Sequence, residues 1–296
     1  MAELARTDLT PLIGSQVHLE KAALLSGDHA PEIRALLVER GAIVVRDVHL
    51  SGDELRNLAR TLGDLRLGTA KRGSDGKTLT EGDEGVMRIT LDPEKNPEYA
   101  RFLFGNELWH MDGTYSEGTP PFATMLAPVA LSQRGGDTLF ANTYAAFEAL
   151  PEAEQRELEQ LEVVHSLPAA LFPGKRDVSA EEYAVWASYP RNAHPLVWQH
   201  KSGRKSLVIG TQCSHVVGMH RTESHDLLHD LMRHATQDRF VYRHKWRLGD
   251  VAIWDNTGTI HRAMPYEENS EREMLRATLN GEEPVTGVGQ RAAATA

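Results

Sequence analysis

The sequence predicts a mainly β fold, an antiparallel sandwich or barrel into which helices are inserted. Many short segments are rich in Val, Ile, Phe, Trp and Tyr, which is the pattern of buried strands. These segments do not alternate with helices, as they would in a doubly wound parallel sheet. The predicted strands span residues 42–45, 86–90, 122–126, 206–209, 240–246, 251–254 and 274–279.

Helices are predicted where apolar residues recur at helical spacing. Ser51 is a typical capping residue, so one helix begins there. Pro151 divides another helical segment into two, because proline removes a hydrogen-bond donor and clashes with the preceding turn. The predicted helical segments span residues 31–40, 51–60, 143–161 and 223–235.

The sequence predicts a single domain over residues 1–296, which is long enough to bury a large core. Residues 65–100 are rich in Gly, Asp, Lys and Glu and are predicted to form a mobile loop region of the kind that covers active sites. Residues 282–296 are rich in Gly, Ala and Thr, so we expect a disordered tail.

Composition argues against several classes of function. The net charge is −10, whereas a nucleic-acid partner requires clustered Lys and Arg. We expect no membrane association, because no apolar run could span a bilayer, and the first residues do not resemble a secretory signal. Cys213 is the single cysteine, which excludes an internal disulfide and favours a cytoplasmic location.

The most informative motif is His110-Met111-Asp112, which is followed much later by His261. Residues two apart in a strand point to the same face, so one short strand can present His110 and Asp112 together. A third ligand from His261 would complete two imidazoles and one carboxylate on one face of a metal. This set suits non-heme Fe(II), because it leaves coordination positions open for a co-substrate and O2.

The sequence around these residues resembles the TauD/TfdA family of Fe(II)/2-oxoglutarate-dependent dioxygenases. The resemblance extends from about Ile43 to Leu279 and is closer to the phenoxyacetate branch than to the taurine branch. It implies a double-stranded β-helix, which is a cupin-like jelly roll. The matching segments are 105–115, 135–138, 202–205, 234–237, 249–256 and 261–263, together with Arg272 and Arg276.

The resemblance implies that His110, Asp112 and His261 bind Fe(II), with 2-oxoglutarate and O2 as co-substrates. Arg272 lies 11 residues after His261 (272 − 261), where the family places the arginine that binds 2-oxoglutarate. The planar guanidinium of arginine suits a carboxylate. The other residues implied to bind the co-substrate are Thr138, Trp254 and Arg276.

The predicted prime substrate is a small organic acid, aromatic and similar to an aryloxyalkanoate. Arg276 lies four residues after Arg272, so both point to one strand face. Two buried guanidinium groups require compensating anions, which favours an acidic substrate. The other candidate substrate contacts are Asn106, Lys71, Lys95 and His200.

Three alternatives remain open at this point. The same chemistry could act on an alkyl sulfonate, an alkyl sulfate or an amino-acid-like compound. The fold could instead serve as a non-catalytic, cupin-like module that binds a metal or ligand, although such a module needs no site like that of Arg272 and Thr138. A zinc or manganese hydrolase is disfavoured because no general base is evident. The family resemblance also implies a homo-oligomer, either a dimer or a tetramer.

Overall fold

The structure is a computed structural model that describes residues 4–67, 71–72, 78–79, 85–92, 94–95, 103–115, 118–175, 177–267 and 269–289. Its strands, numbered along the chain, are β1 Arg6–Asp8, β2 Ser15–Val17, β3 Ala42–Val45, β4 Lys71–Arg72, β5 Thr78–Leu79, β6 Val86–Thr90, β7 Ala123–Ala130, β8 Thr138–Asn142, β9 Glu162–Ser166, β10 Arg191–Pro195, β11 Val197–Gln199, β12 Lys205–Leu207, β13 Cys213–Val216, β14 Val241–His244, β15 Val251–Asp255, β16 Thr259–Ala263 and β17 Glu273–Thr278.

The helices lie between these strands and at the edges of the sheets. They are α1 Lys21–Ser26, α2 Ala30–Arg40, α3 Gly52–Leu62, α4 Thr143–Glu148, α5 Glu152–Leu158, α6 Leu167–Leu171, α7 Ala180–Ala187 and α8 Arg221–Ala235, with 3-10 turns at Leu103–Glu107, Phe172–Gly174 and Asp238–Phe240.

Two sheets form the sandwich that the sequence predicts. The major sheet has seven strands in the order β1-β2-β3-β15-β7-β17-β6, and the minor sheet has the order β14-β8-β16. Except for the parallel pair β2–β3, neighbouring strands in these two sheets are antiparallel. Strand side chains alternate between two faces, so one face of each sheet turns inward. This arrangement confirms the predicted jelly roll.

Helices α2 and α3 cover the outer face of the major sheet. Their residues Leu37, Leu55 and Leu58 share one apolar cluster with Ile43 and Ile253 of the central strands. Helix α3 begins at Ser51, as predicted, because Ser51 and Glu54 form a reciprocal capping box. This cover leaves the inner face of the major sheet to line the space between the two sheets.

The helical segment predicted around Pro151 is divided there into α4 and α5, as expected. The strands β8, β9, β10 and β13 were not predicted. They are short, and their sequences TLFAN, EVVHS, RNAHP and CSHV mix polar residues and proline with few strand-forming side chains. Their apolar pattern is therefore too weak to indicate a strand.

The C-terminal segment corrects one prediction over part of its length. Residues 282–289 do not behave as a disordered tail: Glu282 forms an ion pair with Arg34, and Val285 and Val288 pack against a core cluster. Apolar contact and these polar partners offset the entropy of ordering the segment. Residues 290–296 lie outside the described residues, as does most of the predicted 65–100 loop region. Within that region, β6 is an edge strand of the major sheet.

Among the helices that the structure describes, none is both long enough and apolar enough to cross a bilayer.

Candidate active site

His110 and His261 lie opposite each other at an isolated β-bridge. The backbone N–H of each donates to the carbonyl of the other, at 3.0 Å and 2.9 Å. This pairing sets their rings side by side, with centroids 4.2 Å apart. The backbone itself therefore brings together two residues that are far apart in the sequence.

Asp112 reaches the same point from a turn, so the prediction that His110 and Asp112 share a strand is wrong. The chain turns after Met111, which is buried in the core and points away from the site. Gly113 has φ +77°, and a Cβ there would lie 2.5 Å from Pro121. The turn therefore requires glycine, and it aims Asp112 back toward His110.

The three side chains can contact one ion. His110 Nε2 lies 3.8 Å from Asp112 Oδ1, and His261 Nε2 lies 3.9 Å from Asp112 Oδ2. Two atoms that bind one metal ion at about 2.1 Å lie at most about 4.2 Å apart, so these separations fit a shared ion. Among the described residues, this is the one group of three or more such side chains with donor atoms this close together.

The protonation states suit metal binding. His110 Nδ1 lies 2.8 Å from the Leu108 carbonyl, so this nitrogen carries the proton and Nε2 keeps its lone pair for the site. Burial lowers the pKa of His110 and places that of His261 well below its ordinary value. Burial is the largest single effect on Asp112 and would raise its pKa, but the charge of Arg276, the two imidazoles and the Thr124 hydrogen bond together lower the pKa below its ordinary value and keep the carboxylate ionised.

Asp112 is held by a chain of buried hydrogen bonds. Asn256 Nδ2 donates to Thr124 Oγ1 at 2.8 Å, and the Thr124 hydroxyl donates to Asp112 Oδ2 at 3.1 Å. Arg276 also donates to Oδ2, at 2.5 Å. These bonds converge on Oδ2, which leaves Oδ1 facing His110. The arrangement fixes the carboxylate before any metal binds.

A second cluster of polar groups lies around Arg272, which is only 4% exposed. Its guanidinium donates to the Gly136 carbonyl at 3.3 Å and lies 4.6 Å from the centre of the Tyr266 ring. Its Nε has no hydrogen-bond partner among the described residues. Burial lowers the pKa of Arg272, against the favourable contact with Tyr266. A buried cation with so few protein partners indicates a site for an anion.

Both clusters open into one cavity of about 60 Å³ between the major and minor sheets. Thr138 lies in it beside Arg272, and the Trp254 ring lies 4.7 Å from that of His261. The lining residues are Ile89, Asn106, His110, Leu126, Thr138, Trp254, His261, Ala263, Arg272, Met274 and Arg276.

Comparison with known proteins identifies the family. The sequence pattern of the taurine catabolism dioxygenase TauD, TfdA family matches residues 5–278. The chain belongs to this family of Fe(II)/2-oxoglutarate-dependent dioxygenases.

Relatives of this TauD/TfdA-family chain include enzymes named for aryloxy acids. The alpha-ketoglutarate-dependent 2,4-dichlorophenoxyacetate dioxygenase of Cupriavidus pinatubonensis is 36% identical over 91% of this chain and 95% of its own length. The (S)-phenoxypropionate/alpha-ketoglutarate-dioxygenase of Sphingobium herbicidovorans is 31% identical over 93% and 95%. The crystal structure of AAD-2 with Mn(II) and N-oxalylglycine matches with a TM-score of 0.78 and 28% identity, covering 96% of this chain and 99% of that one.

Two of the residues predicted to contact substrate do not line the cavity of this TauD/TfdA-family chain. His200 is buried, but its ring nitrogens bond to Glu283 and Ser206 at 2.7 Å and 2.8 Å, so both are used within the protein. Lys95 forms an ion pair with the buried Glu273 at 2.9 Å. The side chain of Lys71 lies outside the described residues.

Asn106 does line the cavity, and its contact with substrate stays a prediction. Arg276 lines it too, but it also pairs with Asp112.

Sequence reasoning did not identify Thr124, Asn256 and Trp246. These residues do not line the cavity, but their hydrogen bonds support residues of the site. Trp246 Nε1 donates to Thr138 Oγ1 at 3.0 Å. Asn256 lies in segment 249–256, which resembles the family, so the resemblance could have indicated a role for Asn256. No local signal indicated Thr124, because its role depends on a contact with Asp112 across the sheet.

Proposed function

We propose that this dioxygenase hydroxylates a small anionic, aryloxyalkanoate-like acid. The observation that carries the proposal is the convergence of a His-Asp-His cluster and the buried Arg272 on one cavity between the sheets. The named activities of the aryloxy-acid dioxygenases that it resembles support the substrate class.

His110, Asp112 and His261 would hold Fe(II) through two neutral imidazoles and one carboxylate. Such a set binds one face of the metal and leaves positions for other ligands. When bound, Fe(II) and 2-oxoglutarate supply the oxidising chemistry, in which O2 converts 2-oxoglutarate to succinate and CO2 while a substrate C–H bond is hydroxylated. If that carbon bears an ether oxygen, the hydroxylated product separates into a phenol and a carbonyl compound.

Arg272 and Thr138 would bind the distal carboxylate of 2-oxoglutarate. Arg272 supplies a buried, positively charged donor with no carboxylate partner among the described residues, and Thr138 supplies a hydroxyl beside it. Trp254 and Met274 line the same cavity and would shield the bound co-substrate from water on this side. The protein thus orients the co-substrate and limits side reactions, while the bound cofactor supplies the reactivity.

A charge count supports an acidic prime substrate. Arg272, Arg276 and Asp112 together carry +1 (two cations and one anion), since the low pKa values of His110 and His261 keep both neutral. Fe(II) and the 2-oxoglutarate dianion cancel each other. Among the described side chains of the site, one positive charge therefore remains, and one monoanionic substrate would neutralise it.

The experiment is succinate release by purified, iron-loaded protein across a matched panel of substrates. The panel pairs phenoxyacetate with its neutral amide and adds a phenoxypropionate, an alkyl sulfate, an alkyl sulfonate and an amino acid. We expect the aryloxy acids to give the highest kcat/KM. Faster turnover of the alkyl sulfate or sulfonate would replace the proposed substrate class while keeping the reaction.

Two further expectations also remain proposals: a dimeric or tetrameric assembly and a cytoplasmic location. Sedimentation velocity of the purified chain tests the assembly, and a monomer at micromolar concentration would contradict it.

A further inference from the structure

Trp246 does not line the cavity but bonds to a residue that does. Its indole Nε1–H donates to Thr138 Oγ1 at 3.0 Å. Thr138 is 3% exposed and lies beside Arg272 in the cavity wall. An indole nitrogen can only donate, so the direction of this hydrogen bond is fixed.

That direction determines what the Thr138 hydroxyl can do. A hydroxyl has one proton and two acceptor lone pairs, and Trp246 occupies one lone pair. In the described part of the chain, we find no acceptor for the Thr138 proton. The hydroxyl can therefore donate into the cavity, toward the same space that the Arg272 guanidinium faces.

Trp246 is itself held in a fixed orientation. Its ring packs edge-on against His244, with centroids 4.3 Å apart and an interplanar angle of 84°. His244 is fully buried, lies 3.3 Å from Asp250 and is hydrogen-bonded to Tyr242 at 2.9 Å. Asp250 is in turn paired with Arg46 at 2.5 Å. The indole N–H is therefore aimed at Thr138 by a buried network rather than by chance contact.

We propose that Trp246 is a positioning residue, which makes the Thr138 hydroxyl a donor to the distal carboxylate of 2-oxoglutarate. This inference rests on the proposed function, in which Thr138 and Arg272 bind that carboxylate. Without the indole N–H, the Thr138 hydroxyl is free to rotate, and its proton is no longer directed at the anion.

The test compares wild type with Trp246→Phe, Thr138→Val and the double variant. Binding is measured by calorimetry on Mn(II)-loaded protein, titrated with 2-oxoglutarate and, separately, with pyruvate, which lacks the distal carboxylate. Losing a hydrogen bond to a charged group should weaken 2-oxoglutarate binding about tenfold in Trp246→Phe. In the Thr138→Val background, Trp246→Phe should add little, because both changes remove the same interaction. Pyruvate affinity should not change.

The chain offers a matched control. Trp198 is fully buried, whereas Trp246 is partly exposed, and the indole nitrogen of Trp198 has no hydrogen-bond partner among the described residues. Trp198→Phe removes the same volume without removing a hydrogen bond and should leave 2-oxoglutarate affinity unchanged. If Trp246→Phe does not fold, benzothienylalanine at position 246 keeps the bicyclic shape and lacks only the N–H.

Three results would overturn the inference: unchanged 2-oxoglutarate affinity in Trp246→Phe, additive losses in the double variant, or equal weakening for pyruvate. Failure of the proposed function looks different, because wild type itself would then not bind 2-oxoglutarate.

Discussion

Replacing Arg272 with Met should have opposite effects on co-substrate binding and on the stability of the co-substrate-free protein. Truncating one side of a buried, hydrogen-bonded charge pair costs about 2–5 kcal/mol, which is roughly 30-fold to several thousand-fold in affinity. We therefore expect 2-oxoglutarate binding to be lost at millimolar concentration. Metal binding should change little, because Arg272 does not contact His110, Asp112 or His261.

The stability of Arg272→Met should not fall along with its affinity for 2-oxoglutarate. Among the described residues, the partners of the Arg272 guanidinium are a carbonyl at 3.3 Å, which is long for a hydrogen bond, and the Tyr266 side chain. Replacing a poorly compensated buried charge with an apolar side chain is often neutral or stabilising by about 1–4 kcal/mol. The melting temperature without co-substrate should therefore stay the same or rise by several degrees.

Arg276→Met is the matched contrast, because Arg276 has a carboxylate partner 2.5 Å away. Removing it leaves Asp112 without its cation, and breaking a buried pair costs about 3–5 kcal/mol. The two variants are compared in two measurements. Thermal unfolding without metal gives their stability, and calorimetric titration gives their affinity for 2-oxoglutarate. The reasoning fails if Arg272→Met unfolds at a lower temperature than Arg276→Met, or if it still binds 2-oxoglutarate as wild type does.

Four further predictions concern the same site and its support. Asp112→Ala should abolish turnover and Mn(II) binding but keep the circular dichroism spectrum, since it removes a ligand and no core volume; normal 2-oxoglutarate consumption would show the assignment to be wrong. Thr124→Val should weaken Mn(II) binding about 10- to 100-fold, because it removes a hydrogen bond that orients Asp112, and an unchanged Kd would refute this. Arg276→Gln should raise KM more for an acidic substrate than for its neutral amide. If the kcat/KM for the acid divided by that for the amide is the same in wild type and in the variant, a neutral substrate is favoured. His165 is buried and its pKa is lowered to about 3, so the unfolded chain takes up a proton below about pH 6.5 that the native protein does not. On acidification, this residue should lower the free energy of unfolding by up to about 1.4 kcal/mol per pH unit. The decline measured between pH 6.5 and 5 should be shallower in His165→Gln than in wild type, and equal slopes in the two proteins would contradict the prediction.

Much of the fold was predictable from local patterns. Ser51 and Pro151 mark helix boundaries through their own chemistry, so the limits near α3, α4 and α5 followed directly from the sequence. Apolar runs such as 42–45 and 251–254 are buried strands regardless of their partners. The short strands around His165 and Cys213 could not be found in this way, because their side chains are polar and the neighbouring strands define them.

The candidate site was predictable in its membership and not in its geometry. His110, Asp112 and His261 were marked by residue type and context, and Arg272 by the place after His261 that the family resemblance gives it. The pairing of Arg276 with Asp112 depends on how β17 lies beside the turn after Met111, which spacing alone does not reveal. The same applies to His200, which the family resemblance suggested as a substrate contact, whereas its partners Glu283 and Ser206 lie in segments that sequence reasoning treated separately.

The β-bridge between His110 and His261 has a consequence for how the protein matures. The two residues are 151 positions apart (261 − 110), and their mutual backbone hydrogen bonds can form only when the chain has brought His110 beside β16. Such long-range contacts are expected late in folding, because closing a long stretch of chain is entropically unfavourable until other contacts compensate. On the proposed ligand assignment, a chain emerging from the ribosome therefore lacks one metal ligand until β16, which carries His261, has been synthesised. A truncated product that ends before Thr259 would carry His110 and Asp112 without a metal centre.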